Sequence, residues 1–400
     1  MVTKTLREKT LEKQIAIQPK DVKFCKRCVM SNQRPRIVFD EEGVCSACRY
    51  ADEKKNTIDW KTRENELLKL LDKHRRNDGQ WDVLVPCSGG KDASYVAHQL
   101  KHRYGMHPLT ITWAPLKYTD IGFSNLQNFI NSGFNNLLGS SSGKLQRKLA
   151  RVAFEEVGDL FLPFIYGQMC FPFHMALRLG IKLVFYGENG EAEYGGNPKN
   201  NNRSYMPLED WAEAYWKGTA IDNLIDYALK NKDYFSKKDF DSSDLILYRP
   251  PSIEELKLAN IQMHWYSYYH KWIPQENYYY SSQNTGFKAN PERSEGTYSK
   301  YASLDDKTDG FHYYMAFIKF GIGRAMSDAA HEIRDGHITR DEGVNLVRRY
   351  DGELPKKYFK ETLEYLDLTE DDFWNVVDSF RQPHLWVKAN GKWKLKHQVS

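Results

Sequence analysis

Apolar positions along the chain change their period several times, and the changes mark its elements. Trp81-Asp82-Val83-Leu84-Val85-Pro86 is a short, nearly continuous apolar run. That pattern is the mark of a strand buried on both faces. Residues 181–187 have the same character, and Thr110-Ile111-Thr112-Trp113-Ala114 reads as a further strand. Between and around them the period lengthens to that of a helix. Leu67, Leu68 and Leu71 form an inward stripe on a charged helix over 59–76, and Val96, Leu100 and Tyr104 do the same from 92 to about 104, where Gly105 ends the helix. Residues 121–132, 145–157 and 164–179 continue the helical pattern, the last interrupted near Pro172. Strands alternating with helices predict an α/β fold, a parallel sheet whose crossovers are helical. Ligands of such sheets bind beyond the C-terminal ends of the strands.

The second half reads differently. Residues 195–300 are irregular, with a turn-rich stretch from Gly195 to Arg203 and a run of aromatics from Trp265 onward. Thr339-Arg340-Asp341-Glu342 is a capping box that opens a helix closed by Gly352 and Pro355. Thr369 caps another, with Phe373, Val376, Val377 and Phe380 as its core stripe. Asn390-Gly391 between apolar segments predicts a tight hairpin. The pattern divides the chain into a polar, partly helical arm (1–22), a cysteine-bearing ribbon (23–50), a linker helix (51–79), an α/β core (80–195), an aromatic-rich region (196–325) and a helical C-terminal region with its hairpin (326–400).

Composition narrows the class. The chain has 400 residues, of which 41% are hydrophobic and 28% charged, enough for two or three domains with sizeable cores. Its 57 basic and 53 acidic residues leave a net charge of +4, too balanced to argue for a nucleic-acid partner. No run approaches the ~18 apolar residues that span a bilayer, and the charged first twenty residues lack the apolar centre of a signal peptide. A cytoplasmic protein is expected.

Four of the six cysteines form Cys25-x2-Cys28-x16-Cys45-x2-Cys48. Two such knuckles are zinc-ribbon spacing, each pair giving two thiolates to one tetrahedral ion. So small a segment cannot bury enough apolar surface to fold alone, and a structural Zn²⁺ supplies the missing stability. Four thiolates leave no open coordination position, so this ion is expected to do no chemistry. Cys87 and Cys170 stand apart and are expected to be inert packing.

The candidate chemistry lies at Cys87-Ser88-Gly89-Gly90-Lys91-Asp92-Ala93-Ser94, between the strand at 81–87 and the following helix. Glycines let backbone approach an anion, and the helix N-terminus offers free N–H groups and a positive dipole end. The GxxxxGK[ST] spacing of the Walker loop is absent. SGGKD-x-S resembles instead the PP-loop of the ATP pyrophosphatases, which split ATP to AMP and pyrophosphate. Ala93 stands where that motif usually has Ser, so Ser94 or backbone N–H groups are expected to serve. The ATP-binding set is Ser88, Gly89, Gly90, Lys91, Asp92 and Ser94, with Trp113 at the adenine and Gly187-Glu188 at the next strand end. Lys91 and Asp92 are the catalytic candidates. Asp92 with Glu191 and Glu193 are the candidate Mg²⁺ ligands, clustered carboxylates being suited to that ion. Arg147, on a helix that also carries Lys144, Lys148 and Arg151, suits an anionic substrate.

The ribbon followed by CSGGKDxSYVA resembles the N-acetyl sugar amidotransferases of bacterial surface-polysaccharide biosynthesis. So do Trp113-Ala114-Pro115, Tyr118-Thr119-Asp120-Ile121-Gly122, Val184-Phe185-Tyr186-Gly187-Glu188-Asn189, Asn290 to Tyr301, Phe317 to Ala325, His331 to Gly336 and Tyr350 to Glu353. The resemblance implies conversion of a sugar acetamido group to an acetamidino group, on UDP-linked diacetamido-uronic acids or nonulosonic acids. It implies ATP, Mg²⁺ and Zn²⁺, and nitrogen delivered by a separate glutaminase with a cyclase-like partner. With no Cys-centred glutaminase elbow recognisable in the sequence, ammonia is expected to come from another polypeptide or from free ammonium. Asn197, Asn200, Arg203, Asn290, Arg293 and Lys300 are the polar candidates for the sugar in a region expected to form a lid. The rivals are a tRNA-thiolating PP-loop enzyme, which needs reactive core cysteines and a basic surface, and a non-catalytic zinc-ribbon interaction protein.

Overall fold

A computed structural model describes residues 9–205, 207, 210, 217–231 and 234–400. The centre is a five-stranded, wholly parallel sheet in the order β3-β2-β1-β4-β5. Its strands are β1 (Val83–Pro86), β2 (Pro108–Trp113), β3 (Asn135–Gly139), β4 (Leu183–Tyr186) and β5 (Gln262–Trp265). β1 pairs with β2 through Leu84–Leu109 and Val85–Thr110, and with β4 through Leu84–Val184. Three of these strands match the apolar runs of the sequence.

Alternation along the strands feeds two apolar layers. Leu84 and Val184 face helices Gly143–Val157 and Leu162–Leu179, in a core that continues into the C-terminal region through Phe311, Met315, Phe373 and Phe380. Val83, Val85, Leu183 and Phe185 face the other way, onto Leu67, Leu71, Val96, Leu100, Tyr266 and Trp272. Helices on both faces make this a doubly wound arrangement, a form of the α/β parallel sheet that the sequence predicts.

Several local expectations need correction. Leu68 is 40% exposed and outside the inward stripe. Helix Leu162–Leu179 runs on through Pro172. The helix at Lys91–His98 changes to a π-helical turn over Gln99–Arg103. Residues 9–22 contain no helix and form a strap on the core; Glu12 pairs with buried Lys319 at 3.1 Å, and the Leu11 carbonyl accepts from Thr219 Oγ1 at 2.6 Å. The part of the helical arm expected over 1–8 lies outside the described residues. The aromatic run is not a free lid. Tyr95 of the helix after β1 meets Tyr280, Tyr266 and Trp272 edge-on, so the run from Trp265 to Asn284 packs behind that helix. The C-terminal capping boxes open helices Arg340–Tyr350 and Glu370–Ser379, and the hairpin pairs Trp386–Ala389 with Lys392–Leu395 across Asn390 (φ 51°) and Gly391 (φ 77°).

Candidate functional site

The chain leaves β1 at Pro86 and turns through Ser88-Gly89-Gly90 into the helix that starts at Lys91. Gly89 has φ +82°, and a Cβ there would lie 2.6 Å from the backbone of Leu126. Only glycine combines that dihedral with that approach. Gly90 is the N-cap and gives no side-chain cap, so the first-turn N–H groups remain available to an anion. Lys91 Nζ contacts Asp92 Oδ2, and Asn277 Nδ2 donates to Asp92 Oδ1 at 2.9 Å. Ser281 Oγ donates to the Lys91 carbonyl at 2.6 Å. Helix Pro274–Asn284 thus braces the start of the loop helix. The Ser88 hydroxyl faces Asp305, which burial and nearby Asp309 hold above the usual carboxylate range. Ser94 departs from expectation: it is fully buried, its Oγ 3.8 Å from Cys87 Sγ, beneath the loop rather than in it.

Strand order reverses between β1 and β4, and the crevice outside that point is where doubly wound sheets bind ligands. Lys91 and Asp92 follow β1, and Glu188 follows β4, on the two sides of the crevice. All three line a cavity of about 340 Å³. Burial, then repulsion from Asp92, pushes the Glu188 carboxyl up to about 7. A carboxylate pair of this kind favours a cation between its members. Helix Arg324–Asp335 contributes a further wall, its Arg324, Ser327, Asp328, His331, Glu332 and Asp335 recurring at the spacing of one helical face. Arg324 is bonded to Asp328 Oδ1 (3.0 Å) and to Tyr313 Oη (2.6 Å). Arg34 reaches the cavity from the cysteine ribbon, with its Nε on the Gly195 carbonyl at 2.8 Å.

The two other acidic candidates are used elsewhere. Glu191 pairs with Arg36 of the ribbon at 2.6 Å and accepts from the Asn197 N–H at 3.0 Å. Glu193, buried, pairs with Lys54 at 2.6 Å and lies 3.5 Å from His331 Nε2. Neither lines the cavity, so the two expected Mg²⁺ ligands of this loop are not brought to it; Glu188 is the loop carboxylate that lines it. Trp113 is also revised. Its ring is buried against Phe171 and Tyr248, over Gly167, and is not open to a base.

The expected substrate residues are dispersed. Arg147 is exposed on helix Gly143–Val157, where Lys144 and Lys148 pair with Asp239 and Arg151 with Glu155. Asn197 caps a short helical turn, Asn200 is buried with its carbonyl taken by Asn189, and Arg203 pairs with Asp210 at 3.4 Å. Asn290 and Arg293 line a second cavity of about 450 Å³, where Arg293 forms a two-pronged ion pair with Glu353. Lys300 bonds the Pro291 carbonyl at 2.8 Å. None of these residues lines the cavity at the switch point. Arg34, His312, Tyr313, Arg324 and Asp328 do, and sequence reasoning missed them. The polar stripe of 324–335 carried a readable signal; Arg34 and His312 carried none.

The four ribbon sulfurs lie within 4.8 Å of one another, all buried. Cys25–Cys48 and Cys28–Cys45 Sγ distances are 3.8 and 3.7 Å. A tetrahedron with Zn–S near 2.3 Å has an edge of about 3.8 Å, so the set fits Zn²⁺. Backbone N–H groups of Arg27, Met30 and Cys45 point at the sulfurs from 3.3 to 3.4 Å. Arg334 reaches within 4.0 Å of Cys28 Sγ, and Arg340 donates to the Cys25 and Cys28 carbonyls. The ribbon is therefore clamped to the C-terminal helices. Cys87 and Cys170 are buried, and burial pushes both thiols up, Cys87 to about 11.

Residues 295–400 match the family model of the LPS biosynthesis protein WbpG-like, C-terminal domain. The likeness is to that domain of an LPS biosynthesis protein and covers the C-terminal part of the chain alone. No curated protein matches the chain. Among the described residues, no helix is long and apolar enough to cross a membrane.

Proposed function

We propose that this chain is the synthetase component of an ATP-dependent amidotransferase of lipopolysaccharide biosynthesis, converting a sugar acetamido group to an acetamidino group. One observation carries the reading. Lys91 and Asp92 of the SGGKD loop and residues of the stretch that matches the WbpG-like C-terminal domain, remote in sequence, line the same cavity, which supports a shared site.

The chemistry follows from the parts. An amide oxygen is a poor leaving group; adenylylation makes it a good one. The acetamido oxygen attacks the α-phosphorus of ATP, and pyrophosphate leaves toward Lys91 and the open N–H groups of helix Lys91–His98. Asp92 and Glu188 would hold Mg²⁺, which neutralises phosphate charge and orients the triphosphate. Ammonia then attacks the imidate carbon and AMP departs. The cavity must exclude water, which would hydrolyse the adenylate. Separate glutaminase and cyclase-like subunits supply the ammonia in this reading. The tRNA-thiolation alternative is disfavoured by Cys87 and Cys170, both buried with raised thiols.

The test is incubation with ATP, Mg²⁺, ammonium and a UDP-linked diacetamido-uronic acid. AMP and pyrophosphate, formed only with the acetamido sugar and one amidine per AMP, are the expected products. ADP as product, or AMP formation driven by tRNA, would sink the reading.

A further inference from the structure

We propose that His312, oriented by buried Asp159, is the base that takes the proton from the attacking ammonia. The inference rests on the function proposed above and assigns a residue to its second half-reaction.

His312 lies on helix Asp309–Phe320 and lines the cavity that Lys91, Asp92 and Glu188 also line. Its Nδ1 is 2.9 Å from Asp159 Oδ1, and Asp159 has a side chain only 2% exposed. Asp159 is fixed in its turn. Its Oδ1 accepts the Phe161 N–H at 3.1 Å, and its Oδ2 contacts Lys217 Nζ. Its contacts with His312 and Lys217 outweigh burial and hold this carboxyl well below the usual range, so it is an anion. An anionic acceptor on Nδ1 sets the neutral imidazole to carry its hydrogen there. The lone pair is then on Nε2, the nitrogen not taken by Asp159. Carboxylate, imidazole and reaction space in that sequence is the arrangement by which a histidine base is held in one tautomer.

The other histidines of the cavity are poorer candidates. His331 has Asp335 3.0 Å from Nδ1 and Glu193 3.5 Å from Nε2, so carboxylates face both nitrogens, and its protonated form is favoured. His337 has no orienting carboxylate among the described contacts. His312 alone among the three combines one buried acceptor with one uncommitted nitrogen.

The step balances. The ammonia nitrogen forms a bond to the imidate carbon, and the bond from that carbon to the AMP oxygen breaks, its electron pair leaving with AMP. Ammonia brings three hydrogens and the amidinium nitrogen keeps two; the third passes to His312 Nε2 as a proton. The first half-reaction, in which pyrophosphate leaves, does not need it.

The two half-reactions are therefore measured apart, on the full chain with a UDP-linked diacetamido-uronic acid as acceptor. Acceptor-dependent exchange of labelled pyrophosphate into ATP, without ammonium, reads the first; amidine formation with ammonium chloride reads the second. His312→Gln is expected to keep exchange within about twofold and to lose amidine formation by roughly 10²-fold or more, the usual worth of a positioned base. His312→Ala is expected to regain amidine formation with added imidazole, the regained rate rising with the basicity of substituted imidazoles. Asp159→Asn, which keeps the shape and removes the anion, is expected to fall between. Normal exchange with an unimpaired ammonium step, or rescue indifferent to the basicity of the added base, overturns the role of His312. Absence of exchange in the unmodified chain overturns the amidotransferase reading beneath it.

Discussion

Glu188 shows how a residue with an ordinary sequence context acquires a special state. It follows a buried strand, and the fold sets it opposite Asp92 in a cavity. Burial first, and Asp92 second, move its carboxyl from the ordinary 4.5 to about 7. The unfolded chain therefore releases this proton at lower pH than the folded one, and stability is lost as pH rises from about 4.5 to about 7. Thermal melts of Glu188→Gln without Mg²⁺ should show that loss removed: the variant gains on the parent through this window and holds the gain at higher pH. A pH-independent difference between the two would count against the placement of Glu188. At the same scale, the SGGKD loop was legible because its glycine has a backbone reason, the φ and close approach at Gly89. Glu191 and Glu193 were misread because composition says only that carboxylates cluster. Which of them faces a cation, and which faces Arg36 or Lys54, depends on residues more than 130 positions away.

Among elements, the cysteine ribbon ties the molecule together. It contributes Arg36 to Glu191, Arg34 to the cavity, and two carbonyls to Arg340. Structural zinc sites in small peptides contribute about 10–16 kcal/mol, and a ribbon this short has little core of its own. Metal analysis should find one zinc per chain. Chelation, or Cys45→Ser, should lower the melting temperature and abolish ATP-dependent AMP formation together, because the wall carrying Arg34 is lost; zinc should restore both after chelation. Retained activity in metal-free protein would show that the ribbon is a separable module. The strands divide by the same logic. β1, β2 and β4 are buried on both faces and read directly as apolar runs. β3, at the sheet edge, is Asn135-Asn136-Leu137-Leu138-Gly139 with both leucines exposed, and β5 is four residues long with alternating burial. Neither has a pattern that distinguishes it from a loop, and each exists because a neighbouring strand offers hydrogen bonds.

For the whole molecule, the region after 294 is continuous with the α/β core. Phe311, Met315 and Phe373 belong to the same apolar cluster as Leu84 and Phe154, with Phe154 and Phe373 stacked at 5.2 Å. Buried Lys319 closes on Glu12 of the N-terminal strap. A chain ending at residue 294 should therefore expose this cluster and fail to melt cooperatively, rather than yield a folded α/β core. A soluble fragment with a sharp transition would show two independent folding units. The sequence alone determined the fold class, the zinc-ribbon spacing and the glycine turn between β1 and the next helix, because each rests on local periodicity or on residue types at fixed short spacing. Tertiary structure alone decided which groups share a cavity: Lys91, Glu188, Arg34, His312 and the helix at 324–335 come from four separate regions of the chain. They meet because the sheet reverses its strand order between β1 and β4 and the C-terminal helices pack across that point. That convergence depends on long-range packing, which no local pattern encodes.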